Sequence, residues 1–464
     1  MTDWIRELKA IVGDENVLVS PDELLVYECD ALTIHKRLPR AVIFPNTTEH
    51  VSGVVKVLRE HGLPFVARGA GTGLSGGAIA EAGGVIIELS RMNKILEIDW
   101  ENQLAVVEPG VINIRLTQAV ATRGYRFAPD PSSQMTCTIG GNIAENASGP
   151  HSLKYGVTTD HILGLEVVLP DGRIVNFDRH GGDALGYDLV GLFVGSEGMF
   201  GIATRITVRL IQLPQAVKTL MADFHTIEAA SRTVSDIIAA GIIPAAIEMM
   251  DQATIRAIEE SVFASGLPTD AAAMLLIELD GLPVSVDQES SRVIYLCRTN
   301  GACRVTVARS EAERERLWAA RKNAFGALGR INADLMVQDA VTPRSRLPEV
   351  LPEIYRIAER YRLRMACVIH AGDGNLHPTL CFDGRDSDEL QRVDAACKEI
   401  MELCVRVGGT LTGEHGIGVD KIKYMSLVFS EADLEAMNRV RTVFDPQDLC
   451  NPGKVLPVRR CKVF

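Results

Sequence analysis

The chain has 464 residues, of which 47% are hydrophobic and 23% are charged. At roughly 150 residues per domain, this length predicts two or three domains with buried cores, which excludes disorder and a small disulfide-stapled fold. The 60 acidic residues outnumber the 48 basic ones and give a formal charge of −12. Because such a charge repels phosphate backbones and anionic lipids, nucleic-acid binding is not the expected function.

The N-terminal segment and the cysteines indicate a cytoplasmic protein. Residues 1–13 have the pattern of an amphipathic helix interrupted by charges, and no uncharged apolar run approaches the roughly 18 residues needed to cross a bilayer. The ten cysteines form no CxxC pair, which argues against zinc-ribbon and iron–sulfur ligand sets. We expect them to be reduced thiols that pack as small hydrophobic side chains.

Residues 40–213 alternate strand and helix patterns and predict two α+β units. A strand over 63–68 runs into the glycine-rich segment RGAGTGLSGG (68–77), and a helix is expected near 112–123. A second glycine-rich stretch covers 138–150. A hairpin over 165–177, turning at Asp171-Gly172, then precedes a long strand over 201–213.

The pattern changes at Leu213-Pro214, after which strands and helices follow the order β-α-β twice. The strands are expected at 217–224, 244–250, 272–279 and 302–308, with helices at 226–240 and 286–299. This order predicts a ferredoxin-like sheet with one helical layer. Beyond it we expect helices at 310–329, 348–362 and 387–407, an apolar hairpin at 366–382, and a final helix.

The first glycine-rich segment (68–77) has five glycines in ten residues at the end of a strand. Backbone amides in a loop with few Cβ atoms can converge on one anion, so we favour an anion-binding nest over a tight surface turn. A Rossmann site is disfavoured because no helix is expected after the GxGxxG match, and a Walker loop is excluded because GK[ST] is absent.

The second glycine-rich stretch carries Asn142, Asn146 and Ser148 between closely spaced glycines. Short polar side chains and exposed backbone suit the edge of a planar, hydrogen-bonding cofactor. The alternative is a long irregular loop without a function, although loops of this length are uncommon in compact domains.

The segment CVIHAGDGNLHPTLCF (367–382) predicts a hairpin with a two-residue type I′ turn at Asp373-Gly374. That turn pairs residues whose numbers sum to 747, so His370 is expected directly opposite His377. Directly paired side chains are about 4.5–5.5 Å apart at Cβ, from where both imidazoles can reach one divalent ion. A polar pair facing solvent is an equally weighted alternative.

Two further segments supply candidate groups for metal binding, proton transfer and substrate binding. In TLTGEHGIG (410–418), Glu414 and His415 stand between glycines, where they have little packing role. Two histidines and a carboxylate make a divalent site with open positions, which leaves His415 to act as a base. Arg321, on a helix, is a candidate fork for a substrate carboxylate. On this evidence alone, a solvated arginine is favoured for that position.

Seven motifs occur in chain order: RGAGTGLSGG, APDPSS (128–133), TIGGNIAENASGP, GSEGMFGI (195–202), HAGDGNLHP, GEHGIG and NPGKVLP (451–457). Together they resemble FAD-linked oxidases and dehydrogenases of the vanillyl-alcohol-oxidase type. The resemblance is greatest to glycolate oxidase flavoprotein (D) subunits and to relatives that act on D-lactate and D-2-hydroxyglutarate. It covers about residues 20–457.

The resemblance implies an α+β fold with a two-part FAD-binding domain and a ferredoxin-like cap. The expected domains are 1–213 (FAD-binding), 214–410 (cap, substrate and metal-binding hairpin) and 411–464 (a segment returning to the FAD domain). It places the FAD pyrophosphate on residues 68–74. Because Thr72 stands where covalent relatives have histidine, FAD is expected to bind without a covalent link. The implied FAD-binding residues are Arg68, Gly69, Ala70, Gly71, Thr72, Gly73, Leu74, Pro129, Asp130, Thr138, Gly140, Gly141, Glu145, Asn146, Ala147, Ser148, Glu197, Gly198, Gly201, Ile202 and Asn451.

The resemblance also implies roles for the polar groups of the C-terminal half. His370, His377 and Glu414 hold a divalent metal, with zinc expected first and manganese or iron as alternatives. His415 takes the hydroxyl proton of a 2-hydroxy acid, and the α-hydrogen leaves as hydride to flavin N5. Arg321, three residues after Trp318, binds the substrate carboxylate.

One departure from the family bears on the substrate. The hydroxyglutarate relatives carry a lysine where Val337 stands, two residues before Asp339. Without that second cation, a monocarboxylate such as glycolate or D-lactate is expected.

Two other functions are compatible with the family. One is a non-redox FAD transferase of the alkylglycerone-phosphate synthase type, whose site carries consecutive histidines where this chain has only His415. The other is a non-catalytic flavin subunit, which would lack the His hairpin and GEHGIG. Since the chain has no iron–sulfur motif, we expect electrons to pass to a partner subunit or an external acceptor. We expect any peripheral association with a membrane to occur through such a partner.

Overall fold

The computed structural model describes residues 3–179 and 185–457. These residues divide into two compact units. The first is drawn from Met1–Ser148, Gly156–Leu213 and Glu414–Phe464, and the second from Gly149–Tyr155 and Pro214–Gly413. The chain therefore enters the second unit twice. The first entry is a seven-residue segment that lies inside the FAD-binding domain expected from the family resemblance.

The elements up to residue 213 are mostly short. They are α1 (Asp3–Val12), β1 (Val17–Leu18), α2 (Pro21–Leu24), β2 (Val42–Ile43), α3 (Thr48–Glu60), β3 (Phe65–Arg68), β4 (Val85–Glu88), β5 (Ile95–Asp99), β6 (Leu104–Val107), α4 (Asn113–Ala121), β7 (Tyr125–Arg126), α5 (Ile139–Glu145), α6 (Ser152–Tyr155), α7 (Thr158–His161), β8 (Ile162–Val168), β9 (Ile174–Asp178), α8 (Leu189–Phe193), β10 (Ile202–Arg209) and β11 (Ile211–Gln212).

Longer elements follow. They are β12 (Ala216–Phe224), α9 (Ile227–Ala239), β13 (Ala246–Asp251), α10 (Gln252–Glu259), β14 (Ala273–Gly281), α11 (Pro283–Thr299), β15 (Ala302–Val307), α12 (Glu311–Lys322), α13 (Ala324–Leu328), β16 (Asp334–Val337), β17 (Ala340–Val341), α14 (Leu347–Arg360), β18 (Arg364–His370), β19 (Asn375–Phe382), α15 (Ser387–Arg406) and α16 (Glu431–Phe444).

The first unit contains two larger sheets. One has the order β1-β2-β4-β3, with β2, β4 and β3 parallel, and α1 and α3 bury their apolar stripes against it. The other is antiparallel with the order β5-β6-β10-β8-β9. Its core includes Leu116 and Val120 of α4 and Ile139 and Ile143 of α5. In this way helix α5, which lies within the second glycine-rich segment, is anchored by its own apolar residues.

The second unit is built on an antiparallel sheet with the order β15-β12-β14-β13-β18-β19-β16. The first four strands have the ferredoxin-like order that the β-α-β pattern predicts, and the hairpin β18–β19 extends that sheet. The prediction of one helical layer is wrong. All eight residues of β19 are buried, so the sheet is covered on both faces. Helices α9 and α11 pack on one face. Trp318 of α12 and Ala324 and Leu328 of α13 form a hydrophobic core with the other face.

Candidate active site

The glycine-rich segment 68–77 leaves β3 and forms an open loop without a helix after it, as predicted. Among the described residues, no amide of residues 69–77 donates to a main-chain carbonyl. Gly71 has a φ of +65°, and a Cβ there would collide with the guanidinium of the buried Arg68. Unpaired amides beside an arginine fit the pyrophosphate of FAD.

The second glycine-rich segment is not irregular throughout, because its residues 139–145 form helix α5. Thr138 caps α5 by accepting a 3.2 Å hydrogen bond from the Gly141 amide, and Asn146 ends it in the left-handed conformation at φ 52°. The glycines permit close packing, since a Cβ at Gly140 would meet Pro109 and one at Gly69 would collide with Thr138 Oγ1. The two glycine-rich segments therefore touch through Gly69 and Thr138.

Three other predicted FAD-binding segments join this region of the first unit. Asn113 Nδ2 donates to the Pro129 carbonyl at 3.0 Å and to Asn142 Oδ1 at 2.9 Å. Asn451 Nδ2 donates to the Gly77 carbonyl at 3.0 Å and to the Glu197 carbonyl at 2.7 Å. The Asn451 side chain thereby connects the end of the chain to Gly77, 374 residues earlier, and to Glu197, 254 residues earlier.

Glu197 fixes the GEHGIG segment to the same region. Its carboxylate accepts the Ile417 amide at 2.6 Å and the Gly418 amide at 2.7 Å. Nearby, Glu145 Oε2 is enclosed and accepts no hydrogen bond from a described residue. Burial and the neighbouring Glu197 carboxylate hold the pKa of Glu145 well above its usual value. Glu145 is therefore suited to a hydrogen-bonding partner that the protein itself does not supply.

The remaining predicted residues of this region are distributed along the same elements. Gly201, at φ 139°, approaches the Val168 carbonyl so closely that a Cβ would lie 2.6 Å from it, and Ile202 begins β10. Ser148 donates a 2.7 Å hydrogen bond to Glu414 Oε2. Glu414 Oε1 lies 3.8 Å from His415 Nε2, and both side chains are largely buried. Within this unit, the structure thus connects Glu414 to the second glycine-rich segment.

In the second unit, the predicted pairing of the His hairpin is wrong. His370 pairs with Asn375 and His377 with Val368, so the numbers of paired residues sum to 745. The loop contains four residues, 371–374, of which only Gly374 has a positive φ, whereas a type I′ turn needs two. The two histidines are diagonal neighbours on one face, with ring centroids 5.1 Å apart. A nitrogen of one ring lies within 4.8 Å of a nitrogen of the other, which is close enough for both to bind one divalent ion.

A buried carboxylate that the sequence analysis missed contacts both His370 and Arg321. Glu248 Oε1 lies 2.8 Å from His370 Nδ1, and Glu248 Oε2 forms an ion pair with Arg321 Nη2. Arg321 is only 4% exposed, so the interpretation as a solvated arginine is wrong. Burial raises the pKa of Glu248, but Arg321 and His370 outweigh it and hold the pKa below its usual value.

Asp339 is the corresponding carboxylate beside His377. Its Oδ1 lies 3.9 Å from His377 Nδ1 and accepts from Asn375 Nδ2 at 2.7 Å, while Oδ2 accepts the Gly413 amide at 2.9 Å. Glu248 therefore lies at hydrogen-bond distance from His370 Nδ1, an arrangement that orients metal-binding imidazoles in many proteins, whereas Asp339 Oδ1 lies farther from His377 Nδ1 than a hydrogen bond allows. For Glu248, the available signal was an acid with apolar neighbours on both sides in the strand AIEMMD.

A third buried acid supports the helix that carries Arg321. Glu278 accepts hydrogen bonds from Trp318 Nε1, from Thr219 at 2.8 Å and from His151 Nε2 at 3.1 Å. His151 also stacks on Trp318, with ring centroids 5.3 Å apart. Burial opposes ionisation, but these bonds lower the pKa of Glu278 to about 2. The segment 149–155 is thereby fixed to the sheet of the second unit.

Comparison with known proteins identifies the family. Residues 213–455 match the model described as FAD linked oxidases, C-terminal domain, and residues 39–178 match the model described as FAD binding domain. The chain belongs to the FAD-linked oxidases. It is 44% identical to "Glycolate oxidase subunit GlcD" of Escherichia coli (strain K12), over all of this chain and 93% of that protein. It is 33% identical to "D-lactate dehydrogenase" of Anaerostipes hadrus, over 97% and 95%.

The fold agrees with this assignment. The crystal structure of p-cresol methylhydroxylase matches with a TM-score of 0.82 and 19% identity, over 97% of this chain and 96% of that one. The predicted vanillyl-alcohol-oxidase-type fold and the prediction of an FAD-linked oxidoreductase are confirmed. In the part of this FAD-linked oxidase that the structure describes, no helix has the length and apolar character required to cross a membrane.

Proposed function

We propose that this FAD-linked oxidase converts a small 2-hydroxy acid, glycolate or D-lactate, to the 2-oxo acid. The observation that carries the proposal is the group formed by His370, His377 and Arg321 in the second unit. Two imidazoles lie 5.1 Å apart, and the Arg321 Nη2 atom lies 3.5 Å from His370 Nδ1. Metal-binding side chains beside a buried arginine suit a molecule that carries a hydroxyl next to a carboxylate.

We propose that His370, His377 and Glu414 hold a divalent metal, with zinc first and manganese or iron as alternatives. When bound, the metal supplies Lewis acidity at the substrate oxygens, and FAD accepts the two electrons of the oxidation. The donor set fits a divalent ion with open positions, because it consists of two imidazoles and one carboxylate. The carboxylate of Glu248 at the Nδ1 atom of His370 supports the same assignment.

His415 is the proposed base, which takes the hydroxyl proton of the substrate on its imidazole. An imidazole is the usual group for this task near neutral pH because its ordinary pKa is close to 6.5. His415 follows Glu414 directly and precedes Gly416, which has a φ of +80° and packs so closely against the Glu145 and Glu197 carboxylates that a Cβ there would collide with them. Its side chain is 14% exposed.

Arg321 is the proposed carboxylate-binding group. Its Nη2 is engaged by Glu248, but Nε donates to no described residue although it is buried. A buried N–H without an acceptor costs free energy, which a substrate carboxylate would relieve. The position of the family's second cation is occupied by Val337, which is buried in β16. We therefore propose a monocarboxylate substrate.

We propose that residues 1–213 and 411–464 form the FAD domain and that 214–410 form the cap. FAD would be held without a covalent bond, by the amides of the 68–77 loop and the residues around Glu197 and Asn451. The relatives named as subunits suggest that electrons leave through a partner subunit or an external acceptor. A partner would also account for any attachment to a membrane.

Steady-state turnover with a dye as electron acceptor tests the proposal. The metal-replete protein should oxidise glycolate or D-lactate faster than D-2-hydroxyglutarate. His415→Ala should lose about 10²–10⁴-fold in kcat, the usual contribution of a general base. His225→Ala changes an exposed histidine and serves as the matched control. Normal turnover by His415→Ala would refute the assigned base, and turnover of none of the acids would favour the non-redox transferase.

A further inference from the structure

The buried carboxylate Glu248 lies on β13, in the middle of the sheet of the second unit. It is 1% exposed, and it shares its two oxygens between two different partners. Oε1 lies 2.8 Å from His370 Nδ1, and Oε2 pairs with Arg321 Nη2. The strand register places Glu248 directly beside His370, so the backbone itself fixes this contact.

We infer that Glu248 is the positioning residue that gives the proposed metal site its affinity, by orienting His370 and by neutralising Arg321. This inference rests on the proposed function, because it requires that His370 binds the metal. Glu248 would not itself contact the metal or the substrate. Its effect would reach the site through two residues that do.

The first part of the argument concerns the tautomer of His370. A carboxylate at 2.8 Å from Nδ1 accepts a hydrogen bond from that nitrogen, so the proton of the neutral ring resides on Nδ1. Nε2 then carries the lone pair that a metal needs. Loss of such a carboxylate in metalloproteins weakens metal binding by about 10–100-fold.

The second part concerns charge. Arg321 Nη2 lies 3.5 Å from His370 Nδ1, and both side chains are almost completely buried. A buried guanidinium so close to a metal ligand repels a divalent cation unless its own charge is compensated. The Glu248 carboxylate supplies that compensation. Without this carboxylate, His370 would be oriented less well, and the uncompensated charge of Arg321 would repel the metal.

The two contributions are separable by substitution. Glu248→Gln keeps the shape of the side chain but removes its charge, so both contributions weaken. In Glu248→Gln with Arg321→Met, the repelling cation is absent as well. We expect metal affinity about 10–100-fold lower in the single variant and partly restored in the double variant. Arg321→Met alone should bind the metal more tightly than the unchanged protein.

The experiment is a Zn²⁺ titration of the full FAD-loaded chain, stripped of metal and competed with a chromophoric chelator. Asp223→Asn is the matched control, because Asp223 is a buried carboxylate of the same sheet that pairs with Arg304 rather than with a proposed ligand. Its Zn²⁺ affinity should stay unchanged. Thermal unfolding and FAD content report whether each variant is folded. If Glu248→Gln does not fold, the tighter binding expected of Arg321→Met still tests the charge contribution.

The outcomes distinguish this inference from the proposed function. If His377→Ala binds Zn²⁺ as tightly as the unchanged protein, the proposed metal site is wrong. If His377→Ala loses Zn²⁺ but Glu248→Gln retains full affinity, the metal site stands and the role of Glu248 is overturned. If the double variant binds no better than Glu248→Gln, and Arg321→Met binds no more tightly than the unchanged protein, charge neutralisation is overturned.

Discussion

Ser148 donates a 2.7 Å hydrogen bond to Oε2 of Glu414, although 266 residues separate them in the sequence. A hydrogen bond to a carboxylate is charge-assisted and directional, so it selects one orientation of the Glu414 side chain. If Glu414 is a metal ligand, Ser148→Ala should lower Zn²⁺ affinity by about tenfold, measured by chelator competition.

Ser291→Ala provides the control for this prediction. Ser291 is an exposed serine of α11 whose hydroxyl donates to the Asp287 carbonyl of the same helix. Its removal should leave Zn²⁺ affinity unaltered. Equal affinities for Ser148→Ala and Ser291→Ala would show that Ser148 does not orient a metal ligand.

Gly69→Ala should weaken FAD binding. A Cβ at position 69 would collide with Thr138 Oγ1, the atom that caps α5. Displacing that hydroxyl costs the cap about 1 kcal/mol and shifts the glycine-rich loop that we propose for the pyrophosphate. The FAD content per chain after purification measures the effect.

Gly326→Ala is the matched control for Gly69→Ala, because neither glycine has a positive φ and a Cβ at 326 would meet nothing within 4 Å. This variant should retain its FAD. Full FAD occupancy in Gly69→Ala would contradict the proposed location of the pyrophosphate.

The stability of the protein should depend on Glu278 in acid. The pKa of Glu278 is lowered to about 2 in the folded protein, below its ordinary value of 4.5. The ionised group therefore contributes stability above pH 4.5, and that contribution is lost as the pH falls from 4.5 towards 2. The difference in pKa corresponds to about 3 kcal/mol.

Urea unfolding midpoints measured across this pH range test the prediction. The unchanged protein should lose more stability between pH 4.5 and 2 than Glu278→Gln, which has no proton to gain at this position. Parallel pH dependences of the two proteins would show that Glu278 is not the carboxylate responsible.

The parts of the fold that the sequence predicted were those with local periodic patterns. The strands and helices from residue 216 to 307 follow the predicted β-α-β repeat, and this repeat determines the first four positions of the large sheet. The second helical layer was missed because it comes from α12 and α13, which follow the repeat in the chain. Nothing in the repeat itself indicates which face they cover.

The candidate site was predicted by residue type rather than by geometry. The dipeptide Asp373-Gly374 favours a two-residue turn, but the chain uses four loop residues and only Gly374 has a positive φ. This shift by two positions kept His370 and His377 on the same face, because side chains alternate with a period of two. A shift by one would have separated them.

Glu248 and Asp339 show what the sequence motifs could not supply. Neither lies in one of the seven motifs, and each becomes meaningful only when the sheet places it beside a histidine. Similarly, the sequence did not predict helix α5, since the glycines within it lower helix propensity. Its cap at Thr138 and the burial of Ile139 and Ile143 outweigh that propensity.

The central claim is that this FAD-linked oxidase removes two electrons from glycolate or D-lactate. The most direct measurement is the flavin absorption of the metal-replete protein, recorded without oxygen before and after each acid is added. The account predicts that one of the two acids bleaches the flavin band, and that His415→Ala bleaches far more slowly. A flavin band that persists with both acids would contradict it.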